Sequence, residues 1–132
     1  LLIYDGLRPR SIQWILWNTL SDVPEKERTN FVADPRTGSI HNFGAAVDLT
    51  VTHKNGTPLD MGTHYDYFGD LAFPRLEDSL IVVGDLTLEQ VNNRLILRDA
   101  MTQAGFSPIT TEWWHFDSFP YKETKQKFTI IE

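Results

Sequence analysis

Ser39-Ile40-His41-Asn42-Phe43-Gly44-Ala45-Ala46-Val47-Asp48-Leu49-Thr50-Val51-Thr52 is the stretch on which the fold turns. From Ala46 to Thr52, Val47, Leu49 and Val51 point one way and Ala46, Asp48 and Thr50 the other, which predicts a half-buried strand. Asn55-Gly56 follows, and this pair favours the type I′ turn of a hairpin. Asp48 then stands on the face opposite the apolar one. A carboxylate in mid-strand is costly unless it is paired or liganded. Seven residues upstream, His41 falls in a loop, and Gly44 allows the backbone between them to turn closely. A ring nitrogen and a carboxylate oxygen meeting at one cation, with no thiolate available, suit Zn²⁺. The spacing alone also fits two unrelated polar residues, so the pair needs a third partner.

Working outward, Thr87 to Ala104 reads as a helix. Thr87 with Gln90 forms a capping box and Gly105 takes the C′ position. Leu88, Val91, Leu95, Leu97 and Met101 form its expected core stripe, with Phe106 packing against the cap. Thr111 to Phe119 reads as a final aromatic strand. Toward the N-terminus, Leu1 to Asp5 reads as a short buried strand turning at Asp5-Gly6. Pro9 suits the first turn of a helix whose apolar stripe is Ile12, Ile15, Leu16, Thr19 and Leu20. Ser21 to Gly38 is polar, contains Pro24 and Pro35, and reads as a long surface loop; Met61 to Pro74 is aromatic and glycine-rich without a clear period. Together these elements predict an α+β domain with helices packed on an antiparallel sheet.

The 132 residues fit one domain, and a net charge of -6 argues against nucleic acid as a partner, since neutralising phosphates needs clustered Lys and Arg. Lys122, Lys125 and Lys127, interrupted by Glu123, read as a solvated tail. No apolar run is long enough to span a bilayer. The absence of cysteine excludes disulfides, thiolate zinc fingers and cysteine nucleophiles together. Leu1 to Tyr4 reads as a strand already under way, which implies residues before it.

Of the four histidines, His53 lies beside the hairpin turn and reads as exposed, and His64 stands among aromatics at a rim. His115 is different because it ends Glu112-Trp113-Trp114-His115. A catalytic zinc site needs three protein ligands and an open position, and His115 supplies the third. Glu112 is the candidate to accept a proton from water. Residues three apart lie on opposite faces of a regular strand, so this pairing requires a bend; an aromatic strand with solvent-facing Glu and His is the plainer alternative. Arg8, in the turn before the first helix, reads either as a surface residue or as a guanidinium able to stabilise an oxyanion.

Ser39-x-His41-x-x-Gly44-x-Ala46-x-Asp48 together with Glu112-Trp113-Trp114-His115 resembles the signature of the LAS (M15) family of zinc peptidases that act on peptidoglycan. Asp5-Gly6-Leu7-Arg8-Pro9 and Met61-Gly62-Thr63-His64-Tyr65-Asp66-Tyr67-Phe68 resemble its D-Ala-D-Ala dipeptidase branch, the VanX-type enzymes. The resemblance implies the LAS-type α+β fold over residues 1–132 as one domain without the N-terminal segment usual in that family. It also implies one zinc ion held by His41, Asp48 and His115, Glu112 as general base and acid, and Arg8 as the group that stabilises the transition state. Ser39 and Asp66 correspond to substrate-binding positions, Asp66 through the free ammonium group. The implied substrate is a small peptide, either D-Ala-D-Ala or a muropeptide stem. The alternatives are a D,D-carboxypeptidase, an L-Ala-D-Glu endopeptidase or a zinc-binding module without catalysis. A bacterial setting follows from the resemblance, with no choice between cytoplasm and periplasm.

Overall fold

β2 (Ala46–Thr50) is the strand around which the sheet is built. In the computed structural model, which describes all 132 residues, four strands run in the order β1-β2-β4-β3: β1 (Leu2–Asp5), β3 (Ser107–Pro108) and β4 (His115–Asp117), every pairing antiparallel. Helices α1 (Arg10–Thr19), α2 (Glu77–Val83), α3 (Leu88–Gln103) and α4 (Tyr121–Lys127) complete the α+β architecture. Leu49 and Phe116, facing one side of the sheet, pack with Leu97 and Met101 of α3 and with Met61, Ala72, Trp113 and Trp114. The opposite side carries Asp48 and His115, direct partners in the β2–β4 register. No helix is long and apolar enough to cross a membrane.

Several expectations need correction. β2 is covered on both faces rather than one: Ala46, Asp48 and Thr50 are as buried as Leu49, because a central strand here has the apolar core on one side and the polar cleft on the other. β1 is not buried. It forms the sheet edge, leaving Leu2 and Ile3 exposed, and Tyr4 is the extra residue of a bulge between the Ile3–Leu49 and Asp5–Asp48 pairs. The turn after β2 is not type I′ on Asn55-Gly56. The Gly56 N–H donates to His53 O (2.9 Å), and Gly56 is left-handed while Asn55 is not, so Lys54-Asn55 form the corner. Its returning arm makes only the Thr52–Pro58 bridge, closed by the His53 N–H to Thr57 O (2.8 Å) and the Leu59 N–H to Val51 O (2.9 Å).

α1 begins one residue after Pro9 and buries Gln13 and Trp17, while Ile12, Ile15 and Thr19 of the expected stripe are exposed. Polar anchoring sets this rotation: Gln13 accepts from Arg8 (2.9 Å) and donates to Ala33 O (2.8 Å), and Arg28 and Arg36 cover the Trp17 ring. α3 has the predicted Thr87–Gln90 capping box and a left-handed Gly105 (φ 89°). Its buried face, however, is Val91, Arg94, Leu97 and Met101, with Leu88 and Leu95 exposed. The reason is Arg94, whose guanidinium donates to Met61 O (2.7 Å) and Leu71 O (2.8 Å) and meets Glu77 at 3.4 Å. The long polar loop contains a 3₁₀ turn over Glu25–Asn30. The lysine-rich stretch is helical in α4, where Lys127 pairs with Glu123 (2.7 Å) and Lys125 lies over Tyr121.

Candidate metal centre

His41 lies in a 3₁₀ turn, Ile40–Phe43, that the sequence prescribes at both ends. Ser39 accepts from the His41 N–H (3.3 Å), Asn42 accepts from the Ser39 N–H (2.7 Å), and Gly44 closes the turn with φ 65°. The same turn holds the segment before α1: the Arg8 N–H donates to His41 O (3.1 Å) and the Asn42 side chain donates to Arg8 O (2.8 Å). His41 in turn donates from Nδ1 to Gly6 O (2.8 Å), which leaves Nε2 pointing inward with its lone pair.

β2 and β4 supply the other two donors. Asp48 Oδ1 is 3.0 Å from His115 Nδ1 and 3.3 Å from His41 Nε2, and the two ring nitrogens are 3.2 Å apart. His115 Nε2 donates to Asp117 Oδ1 (2.8 Å), so its Nδ1 also faces inward. Two lone pairs and a carboxylate oxygen, all buried and all within 4.8 Å, repel one another unless something positive sits among them. In the bare chain protons do this. Burial opposes a charged His115, yet Asp117 and Asp48 raise its pKa to about 10. Burial likewise opposes the Asp48 carboxylate, but hydrogen bonds from His115 and His41 hold it well below the usual carboxylate range. A divalent cation satisfies the same donors better, and two nitrogens with one oxygen form a three-ligand set with room for a fourth. The residues fit a metal ion.

The bend that Glu112 requires is present. The chain turns through Trp113 and Trp114, and the strand begins only at His115, which brings Glu112 Oε2 to 3.8 Å from His115 Nδ1. Burial lifts the Glu112 carboxyl above its usual range, Asp48 and Asp66 add to this, and the histidines oppose it. Arg8 reaches the rim of the centre: its Nη2 stands 4.0 Å from Asp48 Oδ2 while Nε holds Asp5 (2.7 Å) and Nη1 holds Gln13. The guanidinium is therefore aimed by two side chains.

A cleft of about 1100 Å³ opens over these groups, lined by Arg8, Ser39, Asp66, Phe68, Glu112 and Tyr121 among others. Ser39 Oγ accepts from the turn it caps, so its proton remains available to a cleft ligand. Asp66 is exposed, makes no side-chain hydrogen bond, and has the left-handed φ of 58° that few non-glycine residues adopt. His64 and His53 are exposed and stay outside the centre.

Sequence reasoning missed three supporting side chains. Asp117 was legible, since residues two apart on a strand share a face and His115-Phe116-Asp117 has that spacing. Gln13, polar at a buried helical position, left no signal separable from a surface residue. Tyr65, whose hydroxyl donates to Asp48 Oδ2 (3.2 Å), comes from an irregular segment with no period to read.

Residues 1–130 match a family model described as D-Ala-D-Ala dipeptidase, that of peptidase M15. The chain belongs to the peptidase M15 family. Similar proteins named D-alanyl-D-alanine dipeptidase include one from Escherichia coli, 36% identical over 89% of this chain and 54% of its own length. Another from Enterococcus faecalis is 28% identical over 98% of this chain and 68% of its own length, and one from Enterococcus faecium is 30% identical over 88% and 60%. The chain thus spans little more than half the length of the first of these relatives and about two-thirds of the second. Peptidase M15 proteins are metal-dependent, and in this member His41, Asp48 and His115 form the group able to hold the ion.

Proposed function

We propose that this chain carries the active site of a zinc dipeptidase that hydrolyses D-Ala-D-Ala to two molecules of D-alanine. The observation that carries the reading is the convergence of His41 Nε2, Asp48 Oδ1 and His115 Nδ1 beside a half-buried carboxyl, Glu112, in one cleft. The names of the relatives support the substrate. His41, Asp48 and His115 hold one Zn²⁺, whose nitrogen and oxygen donor set and open position suit that ion. When bound, zinc polarises the scissile carbonyl and brings the pKa of water to about 7.

The side chains do the rest. Glu112, its carboxyl lifted by burial, accepts the proton of the attacking water as the new C–O bond forms. It returns that proton to the nitrogen as the C–N bond breaks, so D-alanine leaves as a neutral amine. Arg8, held by Asp5 and Gln13, lends positive charge to the oxyanion. Asp66 pairs with the free ammonium group of the substrate, and Ser39 donates its hydroxyl to the peptide. A carboxylate at a fixed distance from the scissile bond selects a free amine and rejects a blocked one.

A second reading, a peptidase acting on a longer wall peptide, is favoured by the cleft volume, which exceeds what a dipeptide fills. The test is D-alanine release from D-Ala-D-Ala by the zinc-loaded protein, with a muropeptide assayed in parallel. Release from the dipeptide alone supports the dipeptidase. Release from the muropeptide alone supports the longer substrate, and neither, with zinc bound, overturns both.

A further inference from the structure

Asp48 offers the two histidines only one of its oxygens. Oδ1 faces His41 and His115, while Oδ2 turns the other way and accepts from the Tyr65 hydroxyl at 3.2 Å, with Arg8 more distant at 4.0 Å. The Tyr65 ring cannot drift from this position. It stacks on Tyr4 with centroids 4.5 Å apart and planes 18° from parallel, and it meets Trp114 edge-on at 5.6 Å. Both neighbours are themselves fixed, Tyr4 by the bulge in β1 and Trp114 by burial in the core.

We propose that Tyr65 is a positioning residue for the metal centre, its hydroxyl holding Asp48 Oδ2 so that Asp48 serves as a one-oxygen ligand. A carboxylate free to pivot would bring both oxygens to the cation and fill the position that water and substrate need. A hydrogen bond to the outer oxygen prevents that rotation and lowers the cost of ordering the ligand when metal enters. Tyr65 also adjoins Asp66 directly, so the same hydrogen bond ties the left-handed turn that presents Asp66 to the metal carboxylate. The phenol thus couples ligand geometry to the substrate's amine anchor.

The proposal rests on the reading of the site as a metal centre and not on which peptide is cleaved. Tyr65→Phe tests it, because the ring and both aromatic contacts remain and only the hydroxyl is lost. Zinc Kd measured by chelator competition should rise by about tenfold or more, as for other outer-shell partners. The visible spectrum of the cobalt-substituted variant should differ from that of the wild type, while the melting temperature of the metal-free protein stays the same. Unchanged Kd and spectrum would overturn the proposal, as would a lower metal-free melting temperature with unchanged Kd, the mark of a packing role. All these readouts are taken without substrate, so failure of the dipeptidase reading leaves them intact. A wild-type chain that takes up no metal would overturn both.

Discussion

Glu112 and His115 stand 3.8 Å apart, and their substitutions should separate cleanly. Glu112→Ala removes the proton acceptor but none of the three converging donor atoms, so zinc should stay bound while turnover falls by about two to four orders of magnitude. His115→Ala removes a donor and should lose both metal and activity; metal analysis beside a kinetic assay checks the pair. Hydrolysis retained in the Glu112 variant would sink the assignment of the base. Asp117→Asn weakens the partner that orients His115 and should lower zinc affinity by about ten- to a hundredfold without abolishing it. The grouping of His41, Asp48 and His115 was legible because these residues stand in short motifs with local constraints, a capped turn for His41 and a strand for Asp48. Glu112 was legible only as a question. Its use depends on a bend at Trp113-Trp114, and bends of that kind arise from packing of the two indoles in the core rather than from any periodic pattern.

The elements that aim the site depend on polar anchors inside apolar packing. Arg94 on α3 binds the Met61 and Leu71 carbonyls, which bracket the segment that carries Tyr65 and Asp66. Arg94→Ala leaves those carbonyls and part of the Glu77 charge unpaired and should cost about 3–5 kcal/mol, read by chemical denaturation. Arg98 still holds Glu77 at 2.8 Å, which limits the loss on that side. Gly62 is a second anchor of the same segment: with φ 82°, an added Cβ would fall 2.4 Å from Leu86 Cδ2. Gly62→Ala should therefore destabilise by more than about 1 kcal/mol and raise KM for a substrate held by Asp66. At this scale the sequence spoke unevenly. The α3 caps were readable to the residue, and so were Val91, Leu97 and Met101 of its core face, but Arg94 was not, because a buried arginine satisfied by carbonyls stands where a leucine was expected. Likewise α1 turns on Gln13 and Trp17 rather than on its isoleucines.

For the molecule as a whole, a metal held at this centre should contribute a measurable part of stability. The donors come from two strands of the sheet and from the turn before β2, so an ion bound by all three binds only the folded chain. At a free zinc concentration of about 1,000 times Kd this adds roughly 4 kcal/mol, and chelation should lower the melting temperature by on the order of 10 °C. A melting temperature indifferent to chelator would count against an ion at this site. The α+β class, the central strand and the convergence of His41, Asp48 and His115 were readable in advance, because alternation and capping are local. The edge position of β1, helix α2 and the second covered face of β2 were not, since each is decided by which neighbours arrive from far along the chain.

Asp48 and His115 are direct cross-strand partners separated by 67 residues of chain, and that pairing doubles as a clock. A growing or refolding polypeptide has no centre until β4 docks in correct register, since a slip of one residue would turn His115 to the opposite face. The colour of bound cobalt, followed in a stopped-flow mixer, would time the arrival of the last strand directly, with no label attached to the protein.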